Sequence, residues 1–351
     1  MPLVAPQTWL PVVDEPLVCV DVRPVTHDVR TFVLRHPRGG RFVFEPGQHV
    51  TLTADLDTGP VERCYTIASP PTAPGTLELT VKRVPGGPVS GWLHDTVRAG
   101  TMLQVSGPYG VFTTSRHPAA KHLYLSAGSG ITPLMSMTRD RRDRGDGADV
   151  VLVHNARTPD DIVFRAELQH LAEQVPGVRV VTICEADSAA ETWTGPRGRL
   201  TLAHLLAAAP DLLEREVFTC GPAPYMAAAR TLLAEAGADP ARCHEESFDL
   251  GTPGPPPDDG PPAGPTYTVE LRRSGRTLEC GAGTSILGAA ARAGLSLPSS
   301  CGEGVCGTCR STLLEGTVDM EPAGGIRPRE IAQQRILLCC ATPTSDLVVD
   351  A

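Results

Sequence analysis

Three cysteines fall within nine residues, Cys301-Gly-Glu-Gly-Val-Cys306-Gly-Thr-Cys309, and put three soft thiolates on one short stretch of chain. Thiolates so grouped hold zinc or an iron–sulfur cluster. Structural zinc favours two C-x2-C knuckles, and only Cys306 and Cys309 make one here. A binuclear iron–sulfur centre instead needs four thiolates converging on two irons, and this C-x4-C-x2-C run supplies three. Gly302, Gly304 and Gly307 let the loop wrap closely, aiming backbone N–H groups at the sulfides without Cβ clashes. The fourth thiolate must come from elsewhere, and Arg335-Ile-Leu-Leu-Cys339-Cys340-Ala-Thr-Pro offers two adjacent candidates. The other six of the eleven cysteines, Cys19, Cys64, Cys184, Cys220, Cys243 and Cys280, are scattered.

The spacing resembles that of plant-type ferredoxins, which carry a [2Fe–2S] cluster. The resemblance favours Cys339 as fourth ligand, because it leaves 29 residues after Cys309 where Cys340 would leave 30. The implied cluster ligands are Cys301, Cys306, Cys309 and Cys339. Such a centre carries one electron at a time, so something upstream must supply single electrons.

Arg63-Cys64-Tyr65-Thr66 resembles the R-x-Y-[ST] motif of the ferredoxin–NADP reductase superfamily. In a strand Arg63 and Tyr65 share a face, where a guanidinium meets a flavin phosphate and a phenol packs along the ring. Thr66 would point toward flavin N5. Val81-Lys82-Arg83 leads to Gly87-Pro88-Val89-Ser90-Gly91-Trp92-Leu93, which resembles the second flavin segment, where glycines and a helix N-terminus cradle a pyrophosphate. Gly107-Pro108-Tyr109-Gly110-Val111-Phe112 resembles the turn that closes the flavin barrel. The long GGPVSGWL segment and this turn favour FAD over FMN.

Gly128-Ser129-Gly130-Ile131-Thr132-Pro133 lies between an apolar run and a helical one. A glycine-rich strand-to-helix turn is a phosphate site, since its N–H groups and the helix dipole face the ligand. It resembles the superfamily's G-x-G-[IV]-[TA]-P turn, with Pro133 suited to the first helical position. Cys220-Gly221-Pro222 follows another strand, and the resemblance places nicotinamide there with the thiol near the reacting carbon. Asn155 and Arg157 end a further strand where the ribose edge is expected. Arg157 as a 2′-phosphate ligand would favour NADPH; related reductases with a similar Asn-x-Arg-[TS] use NADH, which is the expectation here. Glu246 or Phe248 would border the flavin. Thr66 and Cys220 are the expected catalytic residues.

The elements that must position these groups change texture along the chain. After an N-terminal extension (1–16), residues 17–115 read as short strands punctuated by turns (TFVLRH, HVTLTADL, RCYTIAS, LELTVKRV, MLQVSGP), which predicts an antiparallel β-barrel for the flavin. Residues 116–250 alternate apolar runs (LYLSAG, VVLVHN, VRVVTIC, EVFTC, ARCHEES) with helical stretches, which predicts an α/β doubly wound NAD(P) domain. Residues 251–265, with seven Pro and four Gly in fifteen positions, predict an extended linker able to reach about 45 Å. Residues 266–351 hold a hairpin (YTVELRRSG, RTLECG) and a helix (SILGAAARAG) and carry the cluster cysteines, an α+β β-grasp ferredoxin domain.

The formal charge of −9 argues against nucleic acid as partner, and 41% hydrophobic residues allow real cores. The N-terminus lacks an apolar signal segment and no run is long enough to span a bilayer, so a cytoplasmic protein is expected, and a monomer. From residue 17 onward the chain resembles the reductase components of Rieske-type oxygenases (carnitine, glycine betaine and phthalate systems) and the reductase of the hybrid-cluster protein. That implies an oxidoreductase passing electrons from NADH through FAD and a [2Fe–2S] cluster to a protein acceptor, a terminal oxygenase first. A cytochrome P450 or the hybrid-cluster protein are alternative acceptors. A non-catalytic zinc-stapled module would be colourless, and an oxidase would have no use for a tethered ferredoxin.

Overall fold

The computed structural model describes residues 9–10, 13–145, 147, 149–247, 264–295, 297, 302, 304, 307 and 309–351. Phe248, Cys301, Cys306 and most of the 251–265 stretch lie outside these residues. The chain divides into two compact units, residues 1–108 with 112–248, and residues 249–351 with 109–111.

In the first unit, six strands form one antiparallel sheet: β1 (Val13–Pro24), β2 (Val29–Arg35), β3 (His49–Leu56), β4 (Gly59–Thr66), β5 (Leu77–Lys82) and β6 (Met102–Tyr109). Their order is β4-β3-β6-β1-β2-β5. The two edges meet where Ile67 bridges Leu79 and the Ala68 amide donates to the Glu78 carbonyl, curling the sheet into a barrel. Alternation explains the core: Leu17 and Cys19, Phe32 and Leu34, Val50, Leu52 and Ala54, Leu77, Leu79 and Val81 all turn inward. Each fully buried aliphatic side chain here contributes roughly 1.5–3 kcal/mol. Helix α1 (Pro88–Thr96) plugs the barrel with Val89 and Leu93, and starts with Pro88 in its first turn, where a missing N–H costs nothing. Strand β1 was not foreseen: Pro16, Asp14, Glu15 and Asp21 interrupt its apolar pattern, yet it pairs on both sides.

The same unit continues with five parallel strands, β7 (Lys121–Ala127), β8 (Asp149–Ala156), β9 (Val178–Cys184), β10 (Glu216–Gly221) and β11 (Cys243–Ser247), in the order β9-β8-β7-β10-β11. Helices α2 (Ile131–Arg144) and α3 (Arg165–Gln174) pack on one face against Tyr124, Leu152 and Phe218. Helices α4 (Leu202–Ala208) and α5 (Ala223–Glu235) pack on the other against Leu123, Leu125, Val151 and Val153. Neighbouring residues of one strand thus feed two cores, as a doubly wound sheet requires. The turn after β7 lies against Cys220 of β10, and strand order reverses between these two strands, where α/β proteins bind ligands.

The second unit has a mixed five-stranded sheet. Strands β12 (Thr266–Leu271) and β13 (Arg276–Gly281) form the expected hairpin, α6 (Ile286–Arg292) follows, and β14 (Arg310–Glu315) leaves the cysteine loop. A short β15 (Val318–Met320), α7 (Pro328–Ala332), β16 (Arg335–Leu337), β17 (Ala341–Pro343) and β18 (Leu347–Asp350) complete it. The sheet order is β13-β12-β18-β14-β16, with β18 running parallel to β12 and β15 pairing β17 apart.

Candidate active site

Strand β4 carries Arg63-Cys64-Tyr65-Thr66 against β3, in the register His49↔Thr66, Val50↔Tyr65, Thr51↔Cys64 and Leu52↔Arg63. Alternation puts Arg63 and Tyr65 on one face and Cys64 and Thr66 on the other, beside Thr51 and His49. Tyr65 leans on the barrel core, and burial pushes its phenol well above the ordinary range. The Arg63 guanidinium donates to the Glu62 carbonyl at 2.7 Å. Thr66 is buried and its Oγ1 has no hydrogen-bond partner among the described residues.

The second flavin segment splits by role. Val81 and Val89 are core residues, so only their backbones can meet a ligand. The Ser90 hydroxyl accepts from the Val84 amide at 3.1 Å and donates to the Gly87 carbonyl, holding the 84–90 turn shut. Lys82 reaches Asp28 at 3.3 Å. Gly87 caps α1 without a side-chain bond, which leaves the first N–H groups of that helix for another acceptor.

On the parallel sheet, Gly128–Gly130 form one 3-10 turn and α2 begins at Ile131, so Pro133 is its third residue rather than its first. The Thr132 hydroxyl donates to the Ser129 carbonyl at 3.0 Å, fixing the turn, while Ile131 sinks into the core. A Cβ on Gly130 would lie 2.3 Å from the Cys220 carbonyl oxygen, so the glycine turn and the Cys220-Gly221-Pro222 turn touch backbone to backbone. Asn155 donates to the Ser126 carbonyl and the Tyr225 hydroxyl, at 3.3 and 3.0 Å, and its Oδ1 has no described partner. Arg157 stands apart, exposed and paired to Asp161 four residues on. It opens onto a cleft of about 480 Å³ lined also by His27, Thr158, Asp160, Asp187 and Ser188.

Two groups join these halves: Glu246, one of the two residues expected to border the flavin, and His49, which sequence reading missed. His49 and Glu246 are both buried, with His49 Nδ1 3.7 Å from Glu246 Oε1. Glu246 is the register partner of Cys220, as His49 is of Thr66, so a row runs Thr66–His49–Glu246–Cys220 from barrel to parallel sheet. Both Glu246 oxygens are buried without a described hydrogen-bond partner. Burial first, and then the Glu246 charge, push the Cys220 thiol far up, so it stays protonated. His49 was findable: counting back from the Asp57-Thr58 hairpin sets it opposite Thr66. These unsatisfied buried acceptors and donors, with the backbone cradle at Gly130, suit a polar ring system and a dinucleotide.

In the second unit Cys309 Sγ lies 3.2 Å from Cys339 Sγ, and the Gly304 amide donates to Cys339 Sγ at 3.2 Å. Gly302, Gly304 and Gly307 all have φ near +74°, the left-handed backbone that glycine adopts freely. Cys340 Sγ lies 3.8 Å from the Leu337 carbonyl, and a Cβ on Gly304 would stand 3.0 Å from it. Two thiols this close, with an amide aimed at one of them, suit a thiolate-held metal centre. Cys301 and Cys306 lie outside the described residues, so their convergence is not described. Among the described residues no cysteine forms a disulfide.

Comparison with known proteins follows the same three-part order. Residues 16–114 match the oxidoreductase FAD-binding domain family, 124–231 the oxidoreductase NAD-binding domain family, and 269–344 the 2Fe-2S iron-sulfur cluster binding domain family. A glycine betaine monooxygenase reductase subunit of Pseudomonas aeruginosa is 43% identical over 343 residues, covering 95% of this chain and 94% of its own. The stachydrine N-demethylase reductase subunit of Rhizobium meliloti is 39% identical, covering 96% of each. Among solved structures, an Amycolatopsis cytochrome P450 reductase is similar with a TM-score of 0.60 and 27% identity, over 68% of this chain and 70% of that one.

Proposed function

The chain belongs to the family of oxygenase reductase subunits that join FAD-binding, NAD-binding and 2Fe-2S domains in one polypeptide, and from that premise we propose that it draws electrons from NADH and delivers them singly to a Rieske-type oxygenase. The observation that carries this is end-to-end similarity, 43% over nearly the whole of both chains, to a subunit named for that task. When bound, FAD would supply the conversion of a two-electron hydride to single electrons and a [2Fe–2S] cluster one-electron carriage, while the protein supplies orientation and electrostatics.

Thr66 offers its partnerless buried hydroxyl to the flavin, and Arg63 with the free amides at the start of α1 takes the flavin phosphates. Gly128 to Thr132 takes the nucleotide pyrophosphate, and Asn155 the adjoining ribose. Cys220, protonated and buried, shapes the nicotinamide floor without charge. Glu246 and His49, 3.7 Å apart, set a buried polar pair between Thr66 and Cys220. Cys309 and Cys339 ligate the cluster together with Cys301 and Cys306.

The relatives are named for glycine betaine and stachydrine, both N-methylated ammonium acids, so the partner oxygenase is proposed to act on such a compound. A cytochrome P450 acceptor is the second reading, favoured by the similarity to the P450 reductase. Reconstitution decides between them. NADH-driven demethylation of glycine betaine or stachydrine by a Rieske oxygenase, with formaldehyde release, supports the first; turnover only with a P450 overturns it. The described cysteines, none of them in a disulfide, fit the proposed reducing cytoplasm, and a monomer is proposed.

A further inference from the structure

Away from the flavin and nucleotide segments, the start of the parallel sheet gathers two imidazoles and a carboxylate. Glu216 opens β10, and the register Phe218↔His244 places His244 on the same face, one step along. His244 Nε2 lies 2.6 Å from Glu216 Oε1. His117, on the segment leading into β7, lays its ring on His244 with centroids 3.6 Å apart and planes 27° off parallel. One ligand atom from each of the three residues falls within 4.8 Å of the others, and all three are half-buried.

We propose that His117, His244 and Glu216 bind one divalent d-block cation of borderline softness, with zinc the best fit. Two imidazoles and one carboxylate are a zinc donor set, which leaves a fourth position for water. Hard cations such as magnesium prefer all-oxygen shells and should pass it by.

The surroundings prepare the ligands. Burial, and then the neighbouring His244, lower the His117 pKa, so its lone pair is available at neutral pH. Burial raises Glu216, but hydrogen bonds from His244 and Arg242 outweigh it and keep the carboxylate ionised. Arg242 Nε holds Glu216 Oε2 at 3.2 Å while its other nitrogens donate to the Leu213 and Glu214 carbonyls, so Oε1 stays turned toward His244. Outer partners of this kind orient a ligand. Phe218 backs both rings, at 6.0 Å from His117 and 4.8 Å from His244.

Near-parallel ring planes do not converge on one ion. The stack therefore parks His117 in the metal-free state, and a turn about its side-chain torsions brings it to the Glu216–His244 pair. The cation displaces the proton shared by His244 Nε2 and Glu216 Oε1, which leaves to solvent. Binding would clamp the segment before β7 to the sheet.

The test uses the intact protein with flavin and iron–sulfur cluster bound, so that the cluster thiols are occupied. Calorimetric titration with zinc chloride at pH 7.5 should show one equivalent bound with proton release, at least tenfold weaker at pH 5.5. His117→Gln and His244→Ala should abolish that equivalent and Glu216→Gln weaken it about tenfold or more. His117→Gln, on a half-exposed loop residue, should keep the chelator-treated wild-type melting temperature, which separates ligand loss from misfolding. No zinc binding by the wild-type protein, unchanged binding by both histidine variants, or equal binding of magnesium overturns the proposal.

Discussion

Gly130 and Cys220 meet backbone to backbone: a methyl on Gly130 would stand 2.3 Å from the Cys220 carbonyl oxygen and 2.7 Å from the Gly221 Cα. The two turns proposed to face the dinucleotide are thereby locked to one another. Gly130→Ala forces them apart, at a cost of about 1–3 kcal/mol of overpacking. The expected outcome is a KM for NADH raised tenfold or more with flavin content unchanged. Steady-state kinetics beside the visible spectrum measure both, and an unaltered KM would show that the contact does not set the nucleotide site.

Thr66 lacks a partner for a buried hydroxyl, and valine has nearly the same shape without the hydroxyl. Thr66→Val should therefore slow single-turnover bleaching of the flavin by NADH about tenfold or more, while Thr66→Ser restores most of it. Equal rates in the two variants would mean that the backbone at this position suffices.

His154 is fully buried on β8, with Nδ1 2.9 Å from the Ser126 hydroxyl, and burial lowers its pKa to about 3. The unfolded chain binds this proton near pH 6.5, so between that value and about 3 the unfolded state is the more protonated. Stability must then rise with pH across this window and fall as the solution is acidified, by up to about 1.4 kcal/mol per pH unit from this group. Urea unfolding of the wild type at pH 7 and pH 5, compared with His154→Gln, should show a smaller loss in the variant.

Arg157 is the cation expected at the ribose, yet Asp161 binds it and Asp160 and Asp187 line the same cleft. A 2′-phosphate entering there meets more negative charge than positive. NADPH should accordingly show a kcat/KM at least about tenfold below that of NADH, and Asp161→Asn with Asp187→Asn should narrow the ratio. Equal use of the two coenzymes by the wild type would place the ribose elsewhere.

The fold was legible wherever side-chain period was clean. Tyr124 and Leu125 alternate between two cores, and the strand–helix texture of the parallel sheet followed from that. Strand β1 escaped because its ladder is set by neighbours on both sides rather than by its own composition, with Pro16 and Asp14 inside it. In the site, motifs announced Thr66, Gly130 and Cys220, since turns and spacing are local. Glu246 was expected near the flavin, but His49 carries no motif, and only strand register and packing bring the two to 3.7 Å.

Cys339 and Cys340 are adjacent in sequence, and spacing alone separates them by one residue. Side-chain direction separates them further. Cys339 Sγ lies 3.2 Å from Cys309 Sγ and receives the Gly304 amide, whereas Cys340 Sγ makes a 3.8 Å contact with the Leu337 carbonyl. A thiolate ligand that accepts an amide hydrogen bond is stabilised in its charged form, and such bonds also raise the potential of an iron–sulfur centre. Cys339→Ser should thus lose or alter the cluster, with iron content well below two per chain, while Cys340→Ser should retain its iron and its visible spectrum. Electron paramagnetic resonance of the dithionite-reduced variants reads the same difference directly. Loss of the cluster from Cys340→Ser alone would reverse the assignment and require the 335–340 turn to present its second thiol instead.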